Sequence, residues 1–269
     1  MKHYAFFMLL LGSCLLVSCK STDDAQLARE RVNDAYLLVN NGNLNGAKIQ
    51  LDSVHLLYPK QVEARRAAKD LQDSIVYIEA QRSLAYADSM LAQLLPQVDE
   101  QIKKFKWEKQ DKYEDKGRYV HRLLDTDRNT SRCFLQCYVD EGKGVTLKSY
   151  YFGSKKIEQE QLALVSADNE LRKSGSNYSF EAEGWHEILT FSEQDALDLL
   201  QFVSAYKQGR IKVELRGKGN YSYILQESEK NALEETYRLA VLLKDVQQLE
   251  RQESLANLQI NNYVEKHTK

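Results

Sequence analysis

From Asp24 to about Lys112, apolar side chains return every three or four residues, the spacing of one face of an α-helix. Ala25, Ala28, Val32, Ala35, Tyr36 and Val39 make a first stripe that stops at Asn41-Gly42-Asn43, a run of turn-forming residues. Leu44, Ala47, Ile49, Leu51, Val54 and Leu57 make a second, closed by Tyr58-Pro59. Lys60 to about Gln110 then reads as a long helix, with Leu71, Ile75, Ile78, Ala85, Met90, Leu91 and Leu94 on or near one stripe. Pro96 predicts a kink or an end there, because proline removes an amide donor and clashes with the preceding turn. Lys103 to Arg118 is dense in Lys, Asp and Glu around Phe105, Trp107 and Tyr113, which predicts a solvated helix end leading into a linker.

From about Arg132 the period becomes two. Arg132 to Val139 and Val145 to Phe152 flank Asp140-Glu141-Gly142-Lys143-Gly144, the pattern of a hairpin with a glycine-bearing turn. Leu162 to Ser166, Asn177 to Ala182 and Trp185 to Phe191 are further strand candidates, and Ile211 to Arg216 meets Tyr221 to Leu225 across Gly217-Lys218-Gly219. Ser192 with Asp195 resembles a capping box opening a helix that Gly209 stops. A last helix begins near Ser228 and is long enough to pack back on the N-terminal helices. The expected class is α+β: a helical hairpin plus a long helix, then about seven strands as an antiparallel sandwich or curved sheet, closed by a long C-terminal helix. The corresponding segments are 25–120 (helical), 130–227 (β with one inserted helix) and 228–269 (C-terminal helix).

In the first hairpin, Ala35, Leu38, Ala47, Leu51 and Pro59 stand where a tetratricopeptide repeat wants small, large, small, large and proline. The segment therefore resembles one such repeat, although Arg31 occupies the place of its early aromatic residue and no second copy follows at a period near 34.

Residues 1–24 change the picture most. Lys2 precedes an apolar run, Tyr4 to Val17, that would rise only about 21 Å as a helix, short of the ~20 residues a bilayer needs. It reads as the apolar core of an export signal, residues 1–18. The run ends in Leu16-Val17-Ser18-Cys19, which resembles the lipobox of bacterial lipoproteins. The resemblance implies a diacylglycerol on the Cys19 thioether, cleavage before Cys19 and acylation of the new terminus, hence a membrane partner through the lipid. The looser register ending at Cys14 would leave Leu15, Leu16 and Val17 stranded on the mature end. Residues 19–24 form a tether. Its Lys20-Ser21-Thr22-Asp23-Asp24 looks like the surface-export signal of lipoproteins in Bacteroidetes-type bacteria, and equally suits a solvated spacer whose acids favour the next helix start. The expected place is the outer membrane, surface-exposed or facing the periplasm.

Composition adds exclusions. Lys plus Arg number 37 against 39 Asp plus Glu in 269 residues, so no basic surplus draws the chain to nucleic acid. Beyond Cys14 and Cys19 the thiols are Cys133 and Cys137, four apart on one strand and so about 13 Å apart, too far for a disulfide. They read as small buried apolar residues.

Candidate chemistry is sparse. Gly217-Lys218-Gly219 lies inside a hairpin rather than before a phosphate-binding helix. The five histidines, His3, His55, His121, His186 and His267, show no metal-ligand spacing, so neither a metal nor another cofactor is expected. Glu181, Glu183, His186 and Glu187 surround Trp185, and two carboxylates with a tryptophan invite a glycan hydrolase built on Glu181 and Glu183. The leading expectation is instead non-catalytic binding or scaffolding of a protein or glycan partner. Trp185, Tyr221 and Tyr223, edged by Arg216 and Lys218, are its candidate patch, since tyrosine joins apolar area to a polar tip. A purely structural envelope component is the third expectation.

Overall fold

A computed structural model describes residues 20–109, 117–129, 131–142, 144–184 and 186–268. The export-signal core, Cys19, Lys143 and Trp185 lie outside them. The described chain is α+β and divides into two compact units, one holding residues through Tyr86 together with Gln252 onward, the other Ala87–Arg251. Among the described residues, no helix is long and apolar enough to cross a membrane.

The helical unit starts with α1 (Lys20–Asn40) and α2 (Leu44–Leu57). Gly42, at φ +78°, lets its own amide reach the Val39 carbonyl (2.9 Å) while Asn43 N–H reaches that of Leu38 (2.9 Å), a paired C-terminal cap that glycine permits at little cost. Asn43 then caps α2, its Oδ1 accepting from Gly46 N–H at 2.9 Å. Ala28, Val32, Ala35, Ala47, Leu51 and Val54 are buried together with Ala68, Leu71 and Ile75 of α3 (Val62–Ile102), as the helical spacing demands. The far end of α5 (Glu227–His267) belongs to this unit: Tyr263 stacks on Tyr77 at 4.4 Å, its hydroxyl 3.1 Å from Ser74 Oγ, and Lys266 pairs with Asp73. The expected return of the last helix onto the first ones is therefore present.

The second unit holds two antiparallel sheets. The first takes β1 (Phe105–Glu108), β2 (Arg118–His121), β3 (Phe134–Asp140), β4 (Val145–Phe152), β7 (Tyr178–Glu183) and β8 (His186–Phe191), in the order β1-β2-β3-β4-β8-β7. The second takes β5 (Gln159–Val165), β6 (Leu171–Lys173), β9 (Lys212–Gly217) and β10 (Asn220–Ile224), in the order β10-β9-β5-β6. Leu135, Cys137, Leu147 and Leu189 of the first sheet share one core with Leu162, Leu164, Val213 and Leu215 of the second. Leu199, Leu200 and Val203 of α4 (Glu193–Tyr206), and Leu233, Leu239 and Leu243 of α5, complete it. Ser192 caps α4 by accepting from Asp195 N–H, and the Ser192 hydroxyl returns a bond to Asp195 Oδ2 at 2.9 Å. At the other end, the buried Lys230 ammonium donates to the Lys207 and Gly209 carbonyls, 2.7 Å each. Both thiols are buried and unpaired. Cys137 points into the core, where burial raises its pKa, and burial likewise raises that of Cys133.

Three expectations change. Helix α3 runs through Pro96 to Ile102, because Leu91 and Val98 on either side are both buried in the core of this unit and hold the helix together. The segment from Lys103, expected as a solvated helix end, contains β1, which pairs with β2 in the register Phe105↔His121 to Glu108↔Arg118. Its charges sit on outward positions while Phe105 is buried, so the partner strand, not local propensity, decides the conformation. The third is the strand count: β6, of three residues, joins β1 and β2 among those the alternation did not reveal.

Candidate functional site

Register in the first sheet determines what faces away from the core. Residues opposite one another on adjacent strands project to the same side. Phe134 opposes Tyr150, Tyr150 opposes Ile188, and Ile188 opposes Glu181, so those four form one outward row across β3, β4, β8 and β7. The next row is Phe152, His186 and Glu183. Ser149 and Leu189, one residue along, turn inward and are fully buried.

The segment between β2 and β3 lies over part of this outer face. Gln136, buried on β3, donates from Nε2 to the Thr126 hydroxyl at 2.7 Å and accepts from the Tyr150 hydroxyl at 3.2 Å. Asn129, also buried, closes the segment on itself by donating to the carbonyls of Asp125 (2.7 Å) and Leu123 (3.2 Å). Arg132 is held from two sides. Its Nε donates to Asn129 Oδ1 at 2.6 Å and its Nη2 lies 3.2 Å from Oε1 of Glu229, a carboxylate only 2% exposed. The guanidinium stands 5.8 Å from the Phe134 ring centre.

Between this segment and β7 opens a cavity of about 690 Å³, lined by Arg132, Tyr150, Phe152, Glu181, Glu183 and His186 among others. Its volume falls in the range of small-molecule sites. Tyr150 stacks on the buried Phe134 at 4.7 Å and 17°, and Phe152 tilts against His186 at 4.6 Å. Burial, chiefly, raises the pKa of the Tyr150 phenol, so it stays protonated and keeps its bond to Gln136, leaving its oxygen lone pairs as acceptors. Glu181 and Glu183 are exposed at the mouth. Neither has an ion-pair or hydrogen-bond partner among the described residues.

Strand alternation separates residues that are neighbours in sequence. Glu187, grouped above with Glu181, Glu183 and His186, points the other way and is 1% exposed. Its Oε1 accepts from the amides of Ile157 (2.7 Å) and Glu158 (3.0 Å), and its Oε2 from Gln159 (2.9 Å). It secures the start of β5, where Glu158 has φ +45° and the register with β9 shifts between Gln159 and Gln161. Glu187 is thus no member of the cavity. Trp185 lies outside the described residues.

The patch expected on the second sheet is also divided. Tyr221 and Tyr223 oppose Leu215 and Val213 and so face the core side, whereas Arg216, opposite Asn220, faces away. Tyr221 packs edge-on to Tyr151 at 5.4 Å. The Tyr223 hydroxyl is buried with no hydrogen-bond partner among the described residues, and burial, then the charges of Glu229 and Cys133, push its pKa far up. Arg216 bonds Glu214 at 2.7 Å within the hairpin and Lys218 pairs with Glu158, just before β5, at 2.8 Å, so both cations are engaged. Among the four of these residues that are described, the tyrosines project to one side of the hairpin and Arg216 to the other, although Arg216 and Tyr221 line one small pocket with Glu214.

Of the residues that do converge, sequence reasoning had placed Tyr150 on a strand and singled out Glu181, Glu183 and His186. It missed Asn129, Arg132, Phe134 and Phe152. Alternation puts Phe134 with Gln136, and Tyr150 with Phe152, on one strand face each, a signal present in the chain. The pairing of β4 with β8 that carries these faces to Glu181 is not. No family model, no curated protein and no solved structure matches the chain.

Proposed function

We propose that this chain is a lipid-anchored envelope protein that holds a glycan, without chemical turnover, in the cavity on the outer face of its six-stranded sheet. The observation that carries the reading is the cavity's lining: Tyr150 and Phe152 offer ring faces beside a hydroxyl, a fixed guanidinium and two carboxylates unpaired among the described residues. Sugar rings have the matching character, an apolar C–H face surrounded by hydroxyls that need partners. Cys19, at the end of the lipobox-like run, supplies the anchor. Two or three acyl chains there make attachment effectively permanent, since each buried CH₂ contributes about 0.8 kcal/mol. The test is calorimetric titration of the purified protein with a panel of neutral, amino and acidic oligosaccharides. Phe152→Ala, at a residue 37% exposed and so cheap for the fold, is expected to weaken binding about tenfold. Failure of every oligosaccharide to bind overturns the reading.

One observation favours a second reading, a glycan hydrolase. Glu181 and Glu183 lie two apart on one strand, about 7 Å along β7, and line the same cavity. That spacing falls within the separation used for inversion, about 6.5 to 9.5 Å. Release of reducing ends from the bound oligosaccharide, abolished by Glu181→Gln or Glu183→Gln, is its signature.

A further inference from the structure

We propose that the cavity selects glycans carrying free amino groups, holding the ammonium between the carboxylates of Glu181 and Glu183 and the ring faces of Tyr150 and Phe152. The inference rests on the glycan reading above and specifies its ligand class.

Charge bookkeeping within the cavity is one-sided. Its cation, Arg132, is already answered: Asn129 Oδ1 accepts a hydrogen bond from its Nε and the buried Glu229 carboxylate faces its Nη2. An incoming carboxylate or sulfate would have to compete with Glu229 for that guanidinium. On the opposite wall Glu181 and Glu183 face neighbours that cannot neutralise them as fixed cations do, for their cross-strand partners are Ile188 and His186. The next outward cation in the sheet, Lys148, lies one row further on, opposite Gln136 and Thr190, with its ammonium 5.9 Å from the Tyr138 ring centre. Two carboxylates without partners among the described residues therefore remain at the mouth of an aromatic cavity, and both walls attract a cation: carboxylates by charge, ring faces by their quadrupole.

The shape separates an amino sugar from a lysine side chain. The lining spans β3, β4, β8 and β7, three strand spacings or about 14 Å. A lysine stem is a narrow chain that would leave most of about 690 Å³ unfilled, whereas one or two rings cover the floor of Tyr150 and Phe152 while an amino substituent reaches Glu181 and Glu183.

The test compares three ligands on the full chain purified in detergent: a glucosamine trimer, the same trimer N-acetylated, and a galacturonate trimer, with a lysine-rich peptide as the fourth titrant. The free-amine trimer is expected to bind about tenfold more tightly than the acetylated one, and the galacturonate most weakly. Glu181→Gln with Glu183→Gln should erase that preference, bringing the two glucosamine trimers to equal affinity. Both acids are exposed, so the fold should tolerate the change; the ligand comparison on the unmodified protein decides the matter if it does not. Equal binding of both glucosamine trimers overturns the amine selectivity and leaves glycan binding standing. No binding by any trimer removes the glycan reading itself, and tight binding of the peptide alone reassigns the cavity to a protein partner.

Discussion

Three backbone amides converge on the Glu187 carboxylate, an acceptor-only group that is 1% exposed. Glutamine in its place would turn an NH₂ toward at least one of those donors. Glu187→Gln is therefore expected to cost about 2 kcal/mol, read as a lower urea midpoint at an unchanged slope. A loss within experimental error would show that the β5 start does not depend on the carboxylate. His121 makes a second residue-scale prediction. Its Nδ1 accepts from Leu123 N–H at 3.2 Å, so the proton sits on Nε2 and is donated to Glu235 at 2.8 Å. Burial lowers the imidazole's pKa, against the pull of Glu235. The unfolded chain then takes up a proton as pH falls below about 6.5 while the folded chain does not, so stability drops from there down to the folded pKa. Glu235 is resisted by burial, but hydrogen bonds from Lys104 and His121 hold its pKa down, and its share of stability is lost only at lower pH, in the carboxylate range. Melting curves between pH 7 and 5 should slope less in His121→Gln than in the unmodified protein. An identical slope would place the titration elsewhere.

At the scale of elements, α5 serves the two units in turn. Leu233, Leu239, Leu243 and Val246 are buried in the core of the β unit, whereas Tyr263 and Lys266 bond to Ser74 and Asp73 of α3 in the helical unit. A chain ending at Arg251 should lose protection from hydrogen exchange in α1–α3 and keep it in the sheets. A chain ending at Leu225 should lose it in both. Unchanged exchange in α1–α3 after either truncation would mean that the stacked Tyr77–Tyr263 pair contributes nothing measurable. Elements also differ in how much of them the chain reveals by itself. The break at Asn41-Gly42-Asn43, the cap at Ser192, the hairpins β3–β4 and β9–β10, and the stripes of α1 and α2 were legible, since each rests on residues within a few positions of one another. β1 was not: its four residues are half charged, and only the ladder to β2 and the burial of Phe105 make them a strand.

For the whole molecule, the decisive expectation is the anchor. Cys19→Ala should release the protein from membranes, followed by fractionation of cells. Protease added to intact cells should degrade the lipidated form if it is displayed outside, and spare it until the outer membrane is opened if it faces the periplasm; retention in the membrane fraction without Cys19 would sink the lipid reading. The chain by itself determined what depends on local period and local chemistry: the change from helix to strand near the middle, the α+β class, the face on which Cys133, Leu135, Cys137 and Val139 lie, and the lipobox-like run. Tertiary structure alone decided which strands are neighbours beyond the hairpins β3–β4 and β9–β10. Through that it brought Glu181 beside Tyr150, sent Glu187 to three amides, turned Tyr221 and Tyr223 toward the core, and carried α3 through Pro96. The physical reason is range. Periodicity and capping act over a few residues, whereas a sheet's strand order and a cavity's walls are set by pairings between residues many tens of positions apart, which a pattern along the chain does not specify.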